Sequence, residues 1–195
     1  MTKTVDFYYD YGSPTAYLAW TQLPAICAKH GATLQYQPIL LGGVFKGAGN
    51  QSPAMVEAKG KWLFDDVARY ARHYGVGYAM NPHFIVNTMP AMRGAMWARQ
   101  AGQLEAYNQA MFTAMWVDAK NIAEPDVLME VVGSAGLDGP QMARAVQEQS
   151  VKQSLIDVTN AAVERGVFGA PTMIVGDEMH FGQDRLEWVE RALAG

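Results

Sequence analysis

The stretch Val5-Asp6-Phe7-Tyr8-Tyr9-Asp10-Tyr11-Gly12-Ser13-Pro14-Thr15-Ala16-Tyr17-Leu18 joins a strand to a helix. An aromatic, β-prone run ends at Gly12. Ser13 and Pro14 then form a helix-start signal, because serine caps a first turn and proline suits the first helical position. Ser13 therefore presents a hydroxyl at a helix N-terminus, where free backbone N–H groups favour an anion.

The same turn is also defined by the residues it lacks. A dithiol redox protein would carry Cys-x-x-Cys at this point, whereas this chain has Ser-Pro-Thr-Ala. Its one cysteine, Cys27, lies well inside the next helical stretch, too far along the helix to face Ser13. Dithiol chemistry by the protein itself is therefore excluded.

The elements around this turn are predicted from hydrophobic periodicity and from glycine and proline. Strands are predicted over 5–10, 33–40, 169–175 and 179–181. Helices are predicted over 13–30, with Pro24 kinking or restarting the first of them, and then over 55–74, 89–101, 105–119, 125–132, 139–148, 151–165 and 183–194. Residues 42–53 read as a glycine-rich loop.

This order of elements predicts the fold class. It is β-α-β, a helical region and then β-β-α, and removal of the helical region leaves the thioredoxin fold. We therefore predict an α/β thioredoxin fold with a large all-helical insertion. Residues 1–53 and 166–195 would form the thioredoxin-like domain, and residues 54–165 the inserted helical domain. Pro171, opening the third strand, suits the proline that faces the first helix in that fold.

Composition excludes several classes of function. The chain has 195 residues, half of them hydrophobic, and a formal net charge of −4. With no basic run, nucleic acid and anionic membranes are not expected as partners. No apolar stretch approaches the roughly 18 residues needed to span a bilayer, and Met1-Thr2-Lys3-Thr4 lacks a signal peptide's apolar segment. One cysteine allows no internal disulfide, so a cytoplasmic location is expected.

Other common catalytic patterns are missing. The four histidines have no metal-ligand spacing, so no metal is expected. No nucleophile elbow surrounds a serine, and no P-loop or dinucleotide fingerprint is present. Asp65 and Asp66 are interpreted as part of a solvated helix face.

Several blocks of sequence carry a family resemblance that covers essentially the whole chain. Residues 7–19, Phe7-Tyr8-Tyr9-Asp10-Tyr11-Gly12-Ser13-Pro14-Thr15-Ala16-Tyr17-Leu18-Ala19, are similar to the N-terminal signature of the 2-hydroxychromene-2-carboxylate isomerases, which the kappa-class glutathione transferases share. Further blocks resemble the same family, namely 41–46 with 49–50, 58–62, 87–88 with 92–94, 166–172 and 181–186. Ala170 departs from the pattern, since valine is frequent before this proline.

The resemblance implies a glutathione-dependent enzyme with a DsbA-like fold, usually a homodimer. Its reaction would convert 2-hydroxychromene-2-carboxylate to trans-o-hydroxybenzylidenepyruvate in the breakdown of naphthalene-like aromatics. An external thiol would explain why the turn has no cysteine. Its pKa of about 8.5 must fall by one to two units, roughly 1.4–2.7 kcal/mol, for it to be a thiolate near neutral pH. We therefore assign Ser13 as the catalytic hydrogen-bond donor to the glutathione sulfur.

The remaining candidate residues would bind glutathione or the aromatic substrate. Backbone groups of Ala170 and Pro171 would pair with the tripeptide like an added strand. Gly182, Gln183 and Asp184 begin the last helix, where N–H groups favour a carboxylate and Asp184 an ammonium group. Lys46, Asn50, Gln51 and Lys59 would contact either ligand, and Asn87 and Arg93 the substrate carboxylate. Candidate apolar walls are Phe45, Trp62, Phe84 and Trp116.

Two other functions remain open from the residues. A kappa-like glutathione transferase would share the thiolate but retain the adduct. A non-catalytic DsbA-like binding or chaperone module would not need the Ser13 hydroxyl. A thiol–disulfide oxidoreductase is the weakest alternative, because the cysteines are missing.

Overall fold

A computed structural model describes residues 2–195. Its elements in chain order are β1 (Thr4–Tyr9), α1 (Pro14–Lys29), β2 (Thr33–Pro38), α2 (Leu41–Ala48), α3 (Glu57–Tyr74), α4 (Met89–Gln100), α5 (Leu104–Trp116), α6 (Pro125–Ser134), α7 (Gly139–Ala145), α8 (Gln149–Glu164), β3 (Thr172–Val175), β4 (Glu178–Phe181) and α9 (Leu186–Ala194). Single 3₁₀ turns lie at Pro53–Met55 and Gln183–Arg185.

The sheet has the strand order β2-β1-β3-β4. β1 and β2 are parallel, as expected for strands joined through the crossover helix α1, whereas β1–β3 and β3–β4 are antiparallel. This mixed sheet, with its helices inserted between β2 and β3, confirms the predicted α/β thioredoxin fold. The last helix of the insertion, α8, packs directly against α2 and β2.

Helix α1 continues through its internal proline. Pro24 is exposed and does not end the helix, which runs to Lys29. Proline removes one backbone hydrogen-bond donor from the helix, and here its ring lies on the exposed face. The helix is held instead by its buried face, which includes Leu18, Leu23 and Cys27.

The prediction of a glycine-rich loop after β2 is wrong for its first half, because Leu41–Ala48 forms α2. The reason lies in tertiary packing. A Cβ added at Gly43 would stand 3.0 Å from Cγ2 of Thr159, and one at Gly47 would stand 3.1 Å from both methyl groups of Val163. These two glycines let α2 lie close against α8, and this contact outweighs their low helix propensity.

The core joins the sheet to the inserted helices. Asn108 of α5 is fully buried, and its Oδ1 accepts hydrogen bonds of 2.6 Å from the hydroxyls of Tyr9 and Tyr11. Burial raises the pKa of both tyrosines, so both hydroxyls stay protonated donors. Phe112 packs against both rings. β1 is thereby fastened to the helical region directly behind the Ser13 turn.

Two features that would indicate particular functions are not found among residues 2–195. No helix there combines the length and the apolar character needed to cross a membrane. No group of three or more His, Cys, Asp or Glu side chains in that range is arranged to hold a metal ion.

Candidate active site

Ser13 is the N-cap of α1. Its backbone is extended, and its Oγ accepts a hydrogen bond of 3.1 Å from the backbone N–H of Ala16. The backbone N–H of Ser13 in turn donates to the Asp10 carbonyl at 3.0 Å, which closes the turn after β1. The residue is only 4% exposed, so its hydroxyl is held in one place by the fold.

A buried carboxylate braces this turn from behind. Asp10 is 2% exposed, and its two oxygens accept from the backbone N–H groups of Gly12 at 2.9 Å and Leu41 at 2.8 Å. Burial raises the pKa of Asp10, and these hydrogen bonds, with one from the Thr88 side chain, oppose that rise. One side chain thus connects the Ser13 turn to the starts of α2 and α4. Its position as the last residue of the strand predicted over 5–10 was the signal available in the sequence.

The segment before β3 meets the Ser13 turn. The Ala170–Pro171 peptide bond is cis, and the Ser13 hydroxyl donates to the Ala170 carbonyl at 3.0 Å. Thr15 is the third member of this group, with its Oγ1 3.1 Å from Ser13 Oγ and 3.5 Å from the Ala170 carbonyl oxygen. Sequence reasoning left Thr15 without a role.

A cavity of about 290 Å³ opens at this junction. Its wall includes eight of the predicted site residues, namely Ser13, Asn50, Gln51, Ala170, Pro171, Gly182, Gln183 and Asp184. A larger surface depression of about 500 Å³ lies beside Cys27 and Arg99, but it contains none of the predicted site residues. The smaller cavity is therefore the candidate active site.

The apolar part of the wall is aromatic. Phe45, Trp62, Phe84 and Phe181 line the cavity. Trp116, named as a further wall residue, belongs to the core instead. It is fully buried, and its Nε1 donates to the Tyr11 carbonyl at 2.7 Å. Because its indole N–H already has a hydrogen-bond partner within the core, Trp116 needs no contact with solvent, and it does not line the cavity.

Four predicted site residues do not line the cavity: Lys46, Lys59, Asn87 and Arg93. The Asn87 side chain accepts a 3.2 Å hydrogen bond from the backbone N–H of Met89, so it braces the turn that leads into α4. Arg93 follows on α4 and is half-buried. Lys46 on α2 and Lys59 on α3 are exposed and have no hydrogen bond or ion pair within residues 2–195.

The charges on the wall are negative. Among the described residues, no lysine, arginine or histidine lines the cavity, whereas Asp66 and Asp184 do. Each carboxylate is paired with an exposed arginine on its own segment, Asp66 with Arg69 and Asp184 with Arg185. Asp66 was interpreted as a solvated residue, and the structure corrects this. It lies four residues after Trp62, on the same face of α3, and that spacing was a usable signal.

Two hydrogen bonds position further wall residues. The Tyr74 hydroxyl donates to Oε1 of Gln183 at 3.0 Å, and the Gln183 Nε2 group makes no hydrogen bond within residues 2–195. Burial raises the pKa of Tyr74 to about 12, so its hydroxyl remains a donor at neutral pH. Asn50 donates from Nδ2 to the Phe168 carbonyl at 2.9 Å, which ties the end of α2 to the segment before Ala170.

The protein's own thiol is not part of this site. Cys27 lies in the fourth turn of α1, and burial raises the pKa of its thiol to about 11. The cavity therefore offers a hydroxyl at a helix N-terminus, an adjacent backbone edge, an aromatic wall and carboxylates, but no nucleophilic sulfur.

Fold and site together define a DsbA-like thioredoxin domain. The chain matches the family described as a DSBA-like thioredoxin domain over residues 4–194. A 2-hydroxychromene-2-carboxylate isomerase from Sphingobium xenophagum is 32% identical, with 99% of each chain covered. The chain therefore belongs to the 2-hydroxychromene-2-carboxylate isomerase family and is an enzyme of the isomerase type.

Two further relatives place the chain within this group. A solved structure of a 2-hydroxychromene-2-carboxylate isomerase superposes with a TM-score of 0.89 at 30% identity, covering 98% of this chain and 94% of that one. Glutathione S-transferase kappa 1 from Rattus norvegicus is 27% identical, with 95% of this chain and 88% of the relative covered. The family resemblance predicted from the sequence blocks is confirmed.

Proposed function

We propose that this isomerase uses glutathione to interconvert 2-hydroxychromene-2-carboxylate and trans-o-hydroxybenzylidenepyruvate. The observation that carries the proposal is the Ser13 hydroxyl. It lies on the cavity wall at the N-terminus of α1, in a protein whose only thiol is buried elsewhere in the same helix. A site built in this way can activate a thiol that arrives with a ligand.

The chemistry needs no oxidant or reductant. The hemiketal ring of the substrate opens first: the ring C–O bond breaks, the proton of the hemiketal hydroxyl passes to the phenol oxygen, and a ketone conjugated to a cis carbon–carbon double bond results. The glutathione thiolate then adds to the β carbon of that double bond, which becomes a single bond as its electron pair moves to the ketone oxygen as an enolate. Rotation follows, and the electron pair of the enolate restores the double bond while the electron pair of the C–S bond leaves with the thiolate. A hydrogen bond to a charged acceptor is worth about 1.5–3 kcal/mol, and a helix N-terminus adds about 0.3–1 kcal/mol. Together they supply about 1.8–4 kcal/mol, which covers the roughly 1.4–2.7 kcal/mol needed to lower the thiol pKa by one to two units.

The tripeptide has partners along one side of the cavity. The backbone of Ala170, which lies on the cavity wall, would pair with the cysteinyl residue, as in strand addition. Gln183 presents a free Nε2 group, and Asp184 offers a carboxylate to the γ-glutamyl ammonium group. Asn50 and Gln51 lie on the wall at the end of α2, within the same cavity. These contacts support glutathione as the cofactor.

The aromatic substrate would pack on the rings of Phe45, Trp62 and Phe84. Its carboxylate needs a cation, which the wall itself does not supply. Lys59 precedes Trp62 and Leu63 by three and four residues, so it lies on the helix face that meets the cavity. Lys46 directly follows Phe45 on α2. We assign binding of the substrate carboxylate to these two exposed ammonium groups. Asn87 and Arg93, which do not line the cavity, remain second candidates for the same role.

An assay with purified protein tests the proposal. The absorbance of 2-hydroxychromene-2-carboxylate is followed with and without glutathione. We expect fast isomerisation with the tripeptide, slow or no isomerisation without it, and no net consumption of glutathione. Equal rates in both conditions would refute the thiolate mechanism. Light scattering on the same sample tests the homodimer that the family resemblance implies, and fractionation of source cells tests the cytoplasmic location.

A second candidate is a kappa-like glutathione transferase. It is favoured by the 27% identity to the rat transferase and by the same Ser13 site, which would serve either reaction. The two activities differ in whether the sulfur leaves again. Stoichiometric loss of glutathione with a general electrophile, in place of catalytic turnover, would favour the transferase.

A further inference from the structure

Thr15 stands beside the Ser13 hydroxyl without a role in the mechanism above. It is the second residue of α1, lines the cavity and is half-buried. Its Oγ1 lies 3.1 Å from Ser13 Oγ and 3.5 Å from the Ala170 carbonyl oxygen. The three oxygen atoms thus form a small triangle at the point where the glutathione sulfur is proposed to bind.

The two hydroxyls of this triangle can each make only a fixed number of hydrogen bonds. A hydroxyl has one proton and two lone pairs. Ser13 Oγ accepts from the Ala16 N–H with one lone pair and gives its proton to the Ala170 carbonyl. Either oxygen could donate in the 3.1 Å contact between Ser13 and Thr15, but with the Ser13 proton on the carbonyl it is Thr15 that donates to the second lone pair of Ser13, in preference to its longer 3.5 Å contact with that carbonyl. Without a ligand, the Ser13 proton is already engaged and is not free for a sulfur.

We propose that Thr15 is a positioning residue that releases the Ser13 proton. When the glutathione thiolate enters, the Ser13 O–H turns from the Ala170 carbonyl to the sulfur. The Thr15 O–H then turns from Ser13 to that carbonyl, 3.5 Å away, and supplies the hydrogen bond that Ser13 withdraws. The carbonyl oxygen keeps a second lone pair for the backbone N–H of the tripeptide.

The exchange has an energetic reason. The Ala170 carbonyl would lose its 3.0 Å hydrogen bond from Ser13 on ligand binding and keep only the long 3.5 Å contact from Thr15, and a partly buried carbonyl left with so weak a partner resists the change. With Thr15 present, the number of hydrogen bonds is the same before and after Ser13 turns. This inference rests on the proposed glutathione-dependent function and extends it to the residue that sets the direction of the catalytic hydroxyl.

The test compares Thr15→Val, which keeps the shape and removes the hydroxyl, with Thr15→Ser, which keeps the hydroxyl. The readouts are the pKa of bound glutathione, from the ultraviolet absorbance of its thiolate, and kcat and KM with glutathione varied. A neutral hydrogen bond corresponds to about a 2- to 12-fold change. We expect T15V to lower kcat within that range and to raise the thiol pKa, with KM for glutathione changed less than twofold. We expect T15S to match the wild type.

A double-mutant cycle with Ser13→Ala separates positioning from direct contact. If Thr15 acts through Ser13, T15V has no further effect on the thiol pKa in the S13A background. A further rise there would mean that Thr15 contacts the sulfur itself and would overturn the inference. Circular dichroism confirms folding of each variant, and Thr15→Ala carries the test if T15V does not fold.

The remaining outcomes are also decisive. An unchanged thiol pKa in T15V, or equal losses in T15V and T15S, would overturn the role of the Thr15 hydroxyl while leaving the proposed function standing. Absence of a thiolate band in the wild type at saturating glutathione would overturn the proposed function and this inference with it.

Discussion

The hydroxyl of Ser13 donates to the carbonyl of Ala170 at 3.0 Å, across 157 positions of the chain. The donor caps the first helix, and the acceptor precedes the third strand. Neither segment alone forms a site, because the N-terminus of α1 and the backbone that precedes β3 come together only when β1 and β3 pair. Formation of the sheet therefore creates the cavity that the proposed reaction uses.

The first prediction concerns Ser13. Replacement by alanine removes a donor worth about 1.5–3 kcal/mol to a charged acceptor, so kcat should fall about 10- to 150-fold. The pKa of bound glutathione should rise in parallel, because its thiolate loses the same hydrogen bond. Steady-state kinetics and thiolate absorbance measure the two effects.

A matched control removes a helix cap elsewhere. Ser13→Ala also removes an N-cap, which costs about 1 kcal/mol of stability. Asp138 caps α7 through a 2.8 Å hydrogen bond from the Gln141 backbone and does not line the cavity. Asp138→Ala should lose similar stability with kcat unchanged. If both variants lose activity equally, the effect of Ser13 is a matter of folding and not of thiolate stabilisation.

The second prediction separates packing from helix propensity in α2. Gly43→Ala and Gly42→Ala make the same chemical change at neighbouring positions. At Gly43 the new methyl meets Thr159 at 3.0 Å, and overpacking of this kind costs about 1–3 kcal/mol. At Gly42 nothing lies within 4 Å, so alanine should stabilise by up to about 1 kcal/mol through propensity. Urea unfolding midpoints should therefore move in opposite directions, and a shared direction would contradict the packing explanation.

The α2 glycines show where sequence reasoning stops. Periodicity and turn signals predicted the order of the elements and the Ser13 turn, because both depend on local residues. The pattern Gly42-Gly43 with Gly47 and Gly49 reads locally as a loop. It folds as a helix because α8, more than 100 residues later, offers Thr159 and Val163 to the glycine face. No local signal contains that partner.

The candidate site shows the same difference between residues that local sequence predicts and residues that tertiary packing places. Ser13, Ala170 and Asp184 were located by motif, since each marks the end or the beginning of an element. Thr15 and Asp66 were missed, because their places on the cavity wall depend on which face of a helix meets another segment. Lys46 and Lys59 were named for their charge, and charge alone does not place a flexible side chain on a wall.

The third prediction concerns the hydrogen bond from Tyr74 to Gln183. Tyr74→Phe removes the donor that fixes the Gln183 amide, so the Nε2 group is no longer held toward the cavity. One neutral hydrogen bond is worth about 1 kcal/mol, which corresponds to roughly a fivefold rise in KM for glutathione with kcat little changed. Tyr70→Phe is the matched control, because the Tyr70 hydroxyl makes no hydrogen bond within residues 2–195. Equal KM values for the two variants would remove Gln183 from the proposed glutathione site.

The fourth prediction concerns Asp10, which faces the backbone N–H groups of Gly12 and Leu41. Asp10→Asn replaces one acceptor oxygen with an N–H₂ donor, which then opposes one of those N–H groups. We expect a loss of about 1–3 kcal/mol in the free energy of unfolding. The Ser13 turn and the start of α2 should loosen together, visible as faster amide exchange at both segments. Exchange that changes at only one of them would show that the carboxylate does not couple the two.

The last prediction is a pH dependence of stability at His180. Its Nε2 is buried and has no hydrogen-bond partner within residues 2–195, and burial lowers the pKa of the imidazole below its usual value. Glu178, 3.9 Å away, opposes this only in part. The unfolded chain, with a histidine pKa of about 6.5, therefore binds a proton more readily than the folded chain. Stability from neutral His180 is fully present above about pH 6.5 and is lost as pH falls toward the lower folded pKa.

His180→Gln removes this titration while every other ionisable group stays in place. The difference in unfolding free energy between wild type and H180Q should thus be constant above neutrality and move in favour of H180Q at acid pH. A difference that stays constant down to pH 5, measured by urea unfolding at each pH, would show that the buried imidazole finds a partner when it is protonated.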